Sequence, residues 1–551
     1  MQKFILTVLL FSVSITAALG QLMQAKDLYT KADSLRGELT PLRTCYDINY
    51  YHLDIQVDIE NRSLTGSNLF RFTAVESFDS LQFDLFDNLS VDRIDYKGQA
   101  LPFSREFNAV FVEFPETIEK GEVDSFRVFY SGQPIQATRA PWDGGFDWKT
   151  DSQGNPWVAT ACQGLGASVW WPNKDHQSDE VDSMLISVSV PSQVMNISNG
   201  QLVKTEPVGE GYTKYHWKVR SPINNYNVAL NIGDYAHVRE VYKGIAGPLL
   251  LDYYVLRENQ NQIDHLKENT HRMLEAFEHW FGPYPFYEDG YKLIETAHLG
   301  MEHQSGIAYG NKYMNGYLGR DGSQSGWGLK WDFIIIHESG HEWFGNNITA
   351  KDLADMWIHE SFTNYSEALF IDYFYGKSAS AAYVNGNRRG IQNNAPLQGP
   401  YHVNKEGSGD MYNKGGVLHH MIRTIIDDDE KWRHILRGLN KTFYHQTVDY
   451  NDIIGYINSQ IDIDLSKTFQ QYVQHQSIPT LEVIQEQPGE FLIRWIAEVD
   501  GFDMPIHIMD GEGKSTRIQP TTNFQTFQFP GLEKSSFKAD TYNYYIGVSI
   551  Q

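Results

Sequence analysis

Residues 331–345 read Trp-Asp-Phe-Ile-Ile-Ile-His-Glu-Ser-Gly-His-Glu-Trp-Phe-Gly, and this stretch decides how the rest of the chain is interpreted. His337 and His341 are four residues apart, so on a helix both imidazoles project from one face and can bind the same Zn²⁺. Glu338 is then displaced toward the open side of the metal, where a metallohydrolase needs a carboxylate. Two histidines do not complete such a site, and a third ligand is required.

Glu360 is the candidate third ligand, because it follows His341 after eighteen intervening residues. Its apolar neighbours Trp357 and Phe362 favour burial, and a buried charge requires a partner. If a second helix runs back against the first, the carboxylate completes a His₂Glu site with a water in the fourth position. His359 points about 100° away on that helix and is interpreted as a non-ligand.

Composition limits the kind of protein. The chain has 551 residues, 69 acidic and 45 basic, with a formal net charge of −24. No long Lys/Arg-rich tract interrupts this charge, so we expect no nucleic-acid partner. The length predicts about three or four packed units. Cys45 and Cys162 have no metal-ligand spacing, and two buried thiols are favoured over one disulfide.

The first twenty residues differ from this acidic, polar average. They carry a single positive charge at Lys3, an apolar run from Phe4 to Val13, and small residues up to Gly20. This pattern predicts a signal peptide over residues 1–20, with a retained anchor as the alternative. The apolar run is short for a bilayer core of about 30 Å. We therefore expect a secreted or periplasmic protein with no transmembrane anchor after signal removal.

The periodicity of hydrophobic residues divides the chain after residue 20 into three predicted domains. Alternation such as Tyr51, Leu53 and Ile55 predicts a β-rich domain over residues 21–241. A helical period then predicts a mainly helical domain over 242–477, with helices from Trp331 to Phe344 and from Asp355 to Tyr375. Alternation returns after Pro479 and predicts a small β-domain over 478–551. The fold class is multidomain α+β.

Three further segments extend the pattern. They are Leu299-Gly300-Met301-Glu302-His303, Tyr412-Asn413-Lys414-Gly415, and Gln163 nine residues ahead of Pro172. With the two histidines and Glu360, they resemble the zinc aminopeptidase family that includes alanyl aminopeptidase (aminopeptidase N) and the leukotriene hydrolases, over about residues 46–480. This resemblance implies a thermolysin-like catalytic domain. The chain departs from the family pattern at Leu299, His303 and Glu342, and it has no Arg between Gly164 and Trp171.

The resemblance also implies roles for individual residues. One Zn²⁺ per chain would be held by His337, His341 and Glu360. Glu338 would act as the general base and Tyr412 would donate to the oxyanion. The substrate's α-ammonium and backbone would be bound by Glu302, Gln163, Gly300 and Met301. Glu302 is expected at the end of an extended segment that starts near Tyr291, and Glu367 either assists the amine anchor or orients a zinc ligand.

The sequence therefore predicts a secreted zinc aminopeptidase that acts on peptides with a free N-terminus. A zinc endopeptidase on the same scaffold is one alternative. A catalytically silent binding or adhesion protein is the other, and it would be expected to lack one of the residues named above. The oligomeric state stays open.

Overall fold

The structure is a computed structural model that describes residues 29–509 and 515–551. The predicted signal peptide, residues 1–20, lies outside the described residues. Within the described ranges, every helix is too short or too polar to cross a bilayer.

The first unit is built almost wholly of β-strands. Its helices are α1 (Lys31–Gly37) and α2 (Pro41–Thr44). Its strands are β1 (Tyr46–Asp58), β2 (Ser63–Ala74), β3 (Phe78–Asp84), β4 (Leu89–Tyr96), β5 (Gln99–Ala100), β6 (Phe103–Glu106), β7 (Ala109–Ile118), β8 (Val123–Gly132), β9 (Gly145–Thr150), β10 (Pro156–Ala161), β11 (Ser183–Pro191), β12 (Met195–Ile197), β13 (Gln201–Val208), β14 (Tyr212–Val219) and β15 (Asn231–Gly233).

These strands form three sheets around one core. The largest has eight strands in the order β13-β14-β11-β1-β2-β8-β4-β5, and the others are β12-β15-β10-β9 and β3-β7-β6. β1 pairs antiparallel with β2 and parallel with β11, so Leu53 lies opposite Asn68 and Ile186. The alternation in β1 has the expected cause, because Tyr51, Leu53 and Ile55 are all buried. Cys45 and Cys162 are free and buried.

The second unit begins with a five-stranded sheet. Its strands are β16 (Tyr235–Gly244), β17 (Gly247–Leu256), β18 (Tyr291–Glu295), β19 (Gly300–Met301) and β20 (Ile307–Tyr309), in the order β16-β17-β18-β20-β19. The predicted boundary between residues 241 and 242 thus falls inside β16. The extended segment expected from Tyr291 to Glu302 is wrong as a single strand. It turns after Glu295, and β19 returns antiparallel to β20 at the sheet edge.

Helices make up most of the second unit. They are α3 (Ile263–Phe281), α4 (Phe333–Gly340), α5 (Trp357–Tyr375), α6 (Lys377–Asn387), α7 (Asn413–Ile426), α8 (Asp429–Thr442), α9 (Tyr450–Ser459) and α10 (Ser466–Gln474), with β21 (Ile348–Ala350) and β22 (Gln446–Val448) pairing between them.

The third unit is a pair of small sheets. Its strands are β23 (Thr480–Gln487), β24 (Glu490–Ile496), β25 (Ile506–Met509), β26 (Ser515–Ile518), β27 (Gln525–Gln528), β28 (Lys538–Ala539) and β29 (Gly547–Ile550), in the orders β27-β24-β23-β29 and β26-β25-β28. Its apolar side chains, such as Leu481 and Trp495, belong to the same buried cluster as the helices of the second unit. The third unit is therefore packed onto the helical unit through a continuous core.

Helix α4 is fixed at both ends. Asp332 caps its start by accepting hydrogen bonds from the N–H groups of Ile334 and Ile335. The helix predicted to Phe344 ends earlier, at Gly340, because Phe344 (φ −127°, ψ 93°) and Gly345 (φ 136°) have non-helical backbones. Only glycine adopts the Gly345 conformation without strain. The chain therefore turns sharply just after His341.

Candidate active site

Helices α4 and α5 bring three metal-ligating side chains together. The Nε2 atoms of His337 and His341 lie 3.7 and 3.5 Å from Oε2 of Glu360. All three side chains are at least nine-tenths buried. His337 lies in the last turn of α4, His341 is the residue that caps its C-terminus, and Glu360 comes from the first turn of α5. The predicted ligands thus converge on one point at the junction of the two helices.

The ring orientation of His337 is set by a hydrogen bond to Nδ1, the ring nitrogen that does not face Glu360. Its Nδ1 lies 2.7 Å from Oε1 of Glu367, which is fully buried. A carboxylate only accepts hydrogen bonds, so Nδ1 carries the proton and Nε2 is free to bind a metal. Glu367 also accepts a hydrogen bond from the hydroxyl of Tyr383. Of the two roles expected for Glu367, this geometry supports orientation of a metal ligand.

His341 is oriented by the turn that ends α4. Its Nδ1 lies 3.1 Å from the carbonyl oxygen of Phe344 and 3.1 Å from Oγ1 of Thr363. Because the carbonyl only accepts, Nδ1 donates and Nε2 faces the cluster. The non-helical backbone at Phe344 therefore has a function, since it aims this carbonyl back at the second histidine.

The three side chains fit a tetrahedral zinc ion. Ligands about 2.0–2.2 Å from zinc at tetrahedral angles are separated from one another by about 3.3–3.6 Å. The measured 3.5 and 3.7 Å are close to this spacing and too long for hydrogen bonds. Oε2 of Glu360 is buried and has no hydrogen-bond partner within the described residues. Burial lowers the pKa of His341, but Glu360 and Glu302 outweigh it and raise that pKa to about 9, so the cluster favours a cation.

Glu338 lies on the cavity side of the cluster and is not one of the three converging ligands. Burial raises the pKa of its carboxyl to about 7, a value suited to a group that accepts and returns a proton near neutral pH. Strand β19 lies directly against it. A Cβ atom added at Gly300 would be 2.8 Å from Oε1 of Glu338 and 2.7 Å from Cγ2 of Ile334, so glycine is required for this approach.

Glu302 follows β19 and forms a second acidic position beside the metal cluster. Its side chain is only 2% exposed, and burial raises the pKa of the carboxyl. It accepts hydrogen bonds from the Gln163 amide and, at 3.3 Å, from the hydroxyl of Tyr226. The Gln163 amide also lies 3.4 Å from Oε1 of Glu360. Gln163 therefore links the candidate amine anchor to a metal ligand, and it comes from the first unit.

Tyr412 completes the group on the opposite side. It immediately precedes α7 and its ring stacks near that of His337, with centroids 6.0 Å apart. Burial and the carboxylate of Glu360 raise the pKa of its hydroxyl well above the ordinary value, so the group stays protonated and can donate.

The candidate metal ligands and the side chains of the proposed chemistry open into one cavity of about 620 Å³. Its wall includes the predicted residues Gln163, Gly300, Met301, Glu302, His337, Glu338, His341, Glu360 and Tyr412. A second cavity of about 360 Å³ shares His337, Glu338, Gly300 and Tyr412 and extends toward Arg320 and Tyr383. The metal cluster thus lies where two cavities meet, with Glu302 on one side of it.

Two family models match this chain. The model described as "Peptidase M1 N-terminal domain" matches residues 47–226, and the "Peptidase family M1 domain" matches residues 266–472. The chain belongs to peptidase family M1. The resemblance drawn from the motifs is therefore confirmed.

Relatives and solved structures agree with this M1 assignment. Endoplasmic reticulum aminopeptidase 1 of Mus musculus is 26% identical over 303 residues, or 53% of this chain and 32% of that protein. Aminopeptidase N of Lactobacillus helveticus is 24% identical over 482 residues, or 80% of this chain and 52% of that protein. This M1 chain thus spans about a third to a half of the length of these relatives.

The M1 zinc metallopeptidase of Deinococcus radiodurans superimposes with a TM-score of 0.66 at 20% identity, covering 79% of this chain and 94% of that one. The structure and this likeness confirm the multidomain α+β class, with an N-terminal β-domain, a helical domain and C-terminal β-sheets.

Tyr226 of this M1 site was not found from the sequence. It contacts Glu302 but lies in a short 3₁₀ helix of the first unit, Asn225–Asn227, that carries no motif. Among the family departures, Glu342 is buried and accepts from Tyr284 at 2.5 Å and from the Ser305 N–H at 3.1 Å. It therefore has a structural role. His359 accepts from the Ala350 N–H at 2.8 Å, in line with its interpretation as a non-ligand.

Proposed function

We propose that this M1 family member is a zinc aminopeptidase that hydrolyses the N-terminal peptide bond of peptides, with one Zn²⁺ per chain. The observation that carries the proposal is the position of Glu302. It is a buried carboxylate in the same cavity as His337, His341 and Glu360, and Gln163 bridges it to Glu360. A peptide whose α-ammonium group binds Glu302 would place its first peptide bond at the candidate metal ligands.

The residues of the chain divide the reaction between them. When bound, Zn²⁺ supplies Lewis acidity that polarises the scissile carbonyl and makes water more acidic. Glu338 takes the proton from the attacking water and delivers it to the leaving amine nitrogen. Tyr412 donates its hydroxyl hydrogen to the carbonyl oxygen as negative charge develops there. His337 and His341 are held as neutral ligands by their Nδ1–H bonds to Glu367 and the Phe344 carbonyl.

Glu302 gives the reaction its preference for chain ends. A peptide α-amine with a pKa near 7.7–8.0 is mostly protonated at pH 7. A charge-assisted hydrogen bond to a buried carboxylate contributes about 1.5–3 kcal/mol. An internal peptide bond offers no cation at this position, so a buried carboxylate there would disfavour it. This favours the aminopeptidase over the endopeptidase alternative.

The silent binding or adhesion protein is disfavoured by the residues present. Glu338, Tyr412 and the three candidate ligands are all retained and all face one cavity. We further propose that the protein acts outside the cytoplasm, as a secreted or periplasmic enzyme. Support for this comes from residues 1–20, whose pattern is that of a signal peptide.

The test compares free and N-acetylated leucine arylamides. Acetylation removes the positive charge, so we expect kcat/KM to fall by at least about 10-fold. Glu302→Gln keeps an oxygen that can accept from Gln163 and Tyr226, but it removes the negative charge. This variant should therefore weaken hydrolysis of the free amine by about 10- to 100-fold and reduce its advantage over the acetylated substrate.

Glu295→Gln is the matched control. Glu295 is also a buried carboxylate of the second unit and accepts from the Leu256 N–H at 2.7 Å, but it lies outside the cavity lining. Equal hydrolysis of acetylated and free substrates by the wild type would favour the endopeptidase. No hydrolysis by zinc-loaded protein would favour the silent binding protein.

A further inference from the structure

Glu406 lines the cavity with a carboxylate group. The proposed mechanism does not use this carboxylate. It lies in the segment between α6 and α7, is exposed to the cavity, and lines it together with Gln163 and Glu302. The walls around it raise the pKa of its carboxyl, and the nearby charge of Glu360 adds to this effect. A bound cation would relieve both effects.

The position of Glu406 is fixed by backbone contacts on both sides. Asn404 donates a side-chain hydrogen bond of 3.1 Å to the carbonyl of Gly164. On the other side, a Cβ atom at Gly407 would lie 1.8 Å from the carbonyl oxygen of Leu397, so the chain packs against itself too closely for any other residue. The carboxylate is therefore carried by a defined loop.

Glu406 is placed next to the proposed amine anchor. A Cβ atom at Gly164 would be 3.6 Å from its Oε2, so the carboxylate lies over the residue that follows Gln163. The Gln163 amide contacts Glu302, and it lies 3.8 Å from the sulfur of Met356. The cavity wall around Gln163 thus includes the carboxylate of Glu302, the apolar side chain of Met356 and the carboxylate of Glu406.

The neighbouring Lys405 does not neutralise this carboxylate. Lys405 also lines the cavity, but its Nζ lies over the ring of Tyr29, 5.3 Å from the ring centroid. Within the described residues, Glu406 makes no ion pair with it, and the nearby charge that acts on Glu406 is that of another carboxylate, Glu360. The cavity therefore combines the apolar side chain of Met356 with a carboxylate that forms no ion pair within the described residues.

We propose that Glu406 is a specificity-determining residue that selects peptides with an N-terminal arginine or lysine. The proposal rests on the aminopeptidase function proposed above. With the α-amine at Glu302, the aliphatic stem of a long basic side chain packs along Met356 and its charged head reaches Glu406. Arginine and lysine are the natural side chains that combine such a stem with a cationic end.

The test compares arginine, citrulline and methionine 4-nitroanilides on the zinc-loaded full chain. Citrulline has nearly the shape of arginine but no charge, and methionine reports the apolar wall alone. We expect the wild type to favour arginine over citrulline by about 10- to 100-fold in kcat/KM. Glu406→Gln should reduce this ratio to within about 2-fold and leave the methionine substrate within about 2-fold of wild type.

Glu60→Gln is the control, because Glu60 is an exposed carboxylate at the turn between β1 and β2, outside the cavity. It should leave the arginine-to-citrulline ratio unchanged. The proposal is overturned if the wild type does not distinguish arginine from citrulline, or if Glu406→Gln lowers all three substrates equally. Failure of the wild type to cleave any of the three would instead contradict the aminopeptidase function itself.

Discussion

Replacing Glu367 by glutamine should weaken zinc binding without removing a zinc ligand. Glu367 accepts two buried hydrogen bonds, from the Nδ1–H of His337 at 2.7 Å and from the hydroxyl of Tyr383, and a longer one of 3.4 Å from the Asn364 amide. A glutamine oxygen can still accept from the Nδ1–H, and its NH₂ group can donate to the Tyr383 hydroxyl, which also accepts, but the negative charge is lost. The mutation therefore replaces a charge-assisted hydrogen bond to the His337 Nδ1–H by a weaker neutral one.

The magnitude follows from the role of this hydrogen bond. A buried bond to a charged group contributes about 1.5–3 kcal/mol. Loss of such a partner behind a metal-binding histidine weakens metal affinity by about 10- to 100-fold, which is about 1.4–2.8 kcal/mol. Competition with a chromogenic zinc chelator would measure the change directly. The rate at saturating zinc should fall much less than the affinity.

Glu278→Gln is the control for this experiment. Glu278 is a buried carboxylate of α3 that also accepts from a tyrosine hydroxyl, that of Tyr287 at 3.0 Å, and from the Ile245 N–H at 3.1 Å. Its substitution likewise removes the charge of a buried carboxylate, but outside the cavity lining. Unchanged zinc affinity in Glu367→Gln would refute the reasoning. Equal weakening in both variants would assign the effect to general loss of stability.

Two other substitutions test the proposed chemistry. Glu338→Gln should retain zinc, because Glu338 is not among the converging ligands, and kcat should fall by about 10²–10⁴. Loss of the metal in this variant would reassign Glu338 as a ligand. Tyr412→Phe should lower kcat by about 10²–10³ with little change in KM, since its hydroxyl is used mainly in the transition state. An unchanged kcat would move that role to another donor.

The metal cluster could be predicted because its spacing has a simple geometric meaning. Residues four apart share a helix face, which applies to His337 and His341. Seven residues make nearly two turns, so Glu360 and Glu367 also share a face of α5, which runs over Trp357–Tyr375. That spacing alone was compatible with both roles expected for Glu367. The hydrogen bond to His337 Nδ1 becomes visible only once the two helices are packed.

Other features depend on contacts that local patterns do not encode. Tyr226 and Glu302 are 76 residues apart and meet where the first unit packs on the second. Glu406 reaches the cavity because Gly407 allows a close turn against Leu397. The helix expected to continue to Phe344 stopped early because an apolar helical pattern does not reveal the positive φ at Gly345. In each case tertiary packing overrides the local signal.

Gln163 contacts both Glu302 and Glu360, so the site is built from residues of two structural units. All three candidate metal ligands and Glu338 belong to the helical unit, whereas Gln163 and Tyr226, which hold the Glu302 carboxylate, belong to the β-rich unit. A small rotation between the two units would separate these partners while leaving α4 and α5 intact. In the proposed function, hydrolysis of the peptide bond therefore depends on the helical unit, whereas restriction to chain ends also depends on its contacts with the β-rich unit. We expect a weaker contact between the β-rich and helical units to reduce the selectivity for chain ends before it abolishes hydrolysis.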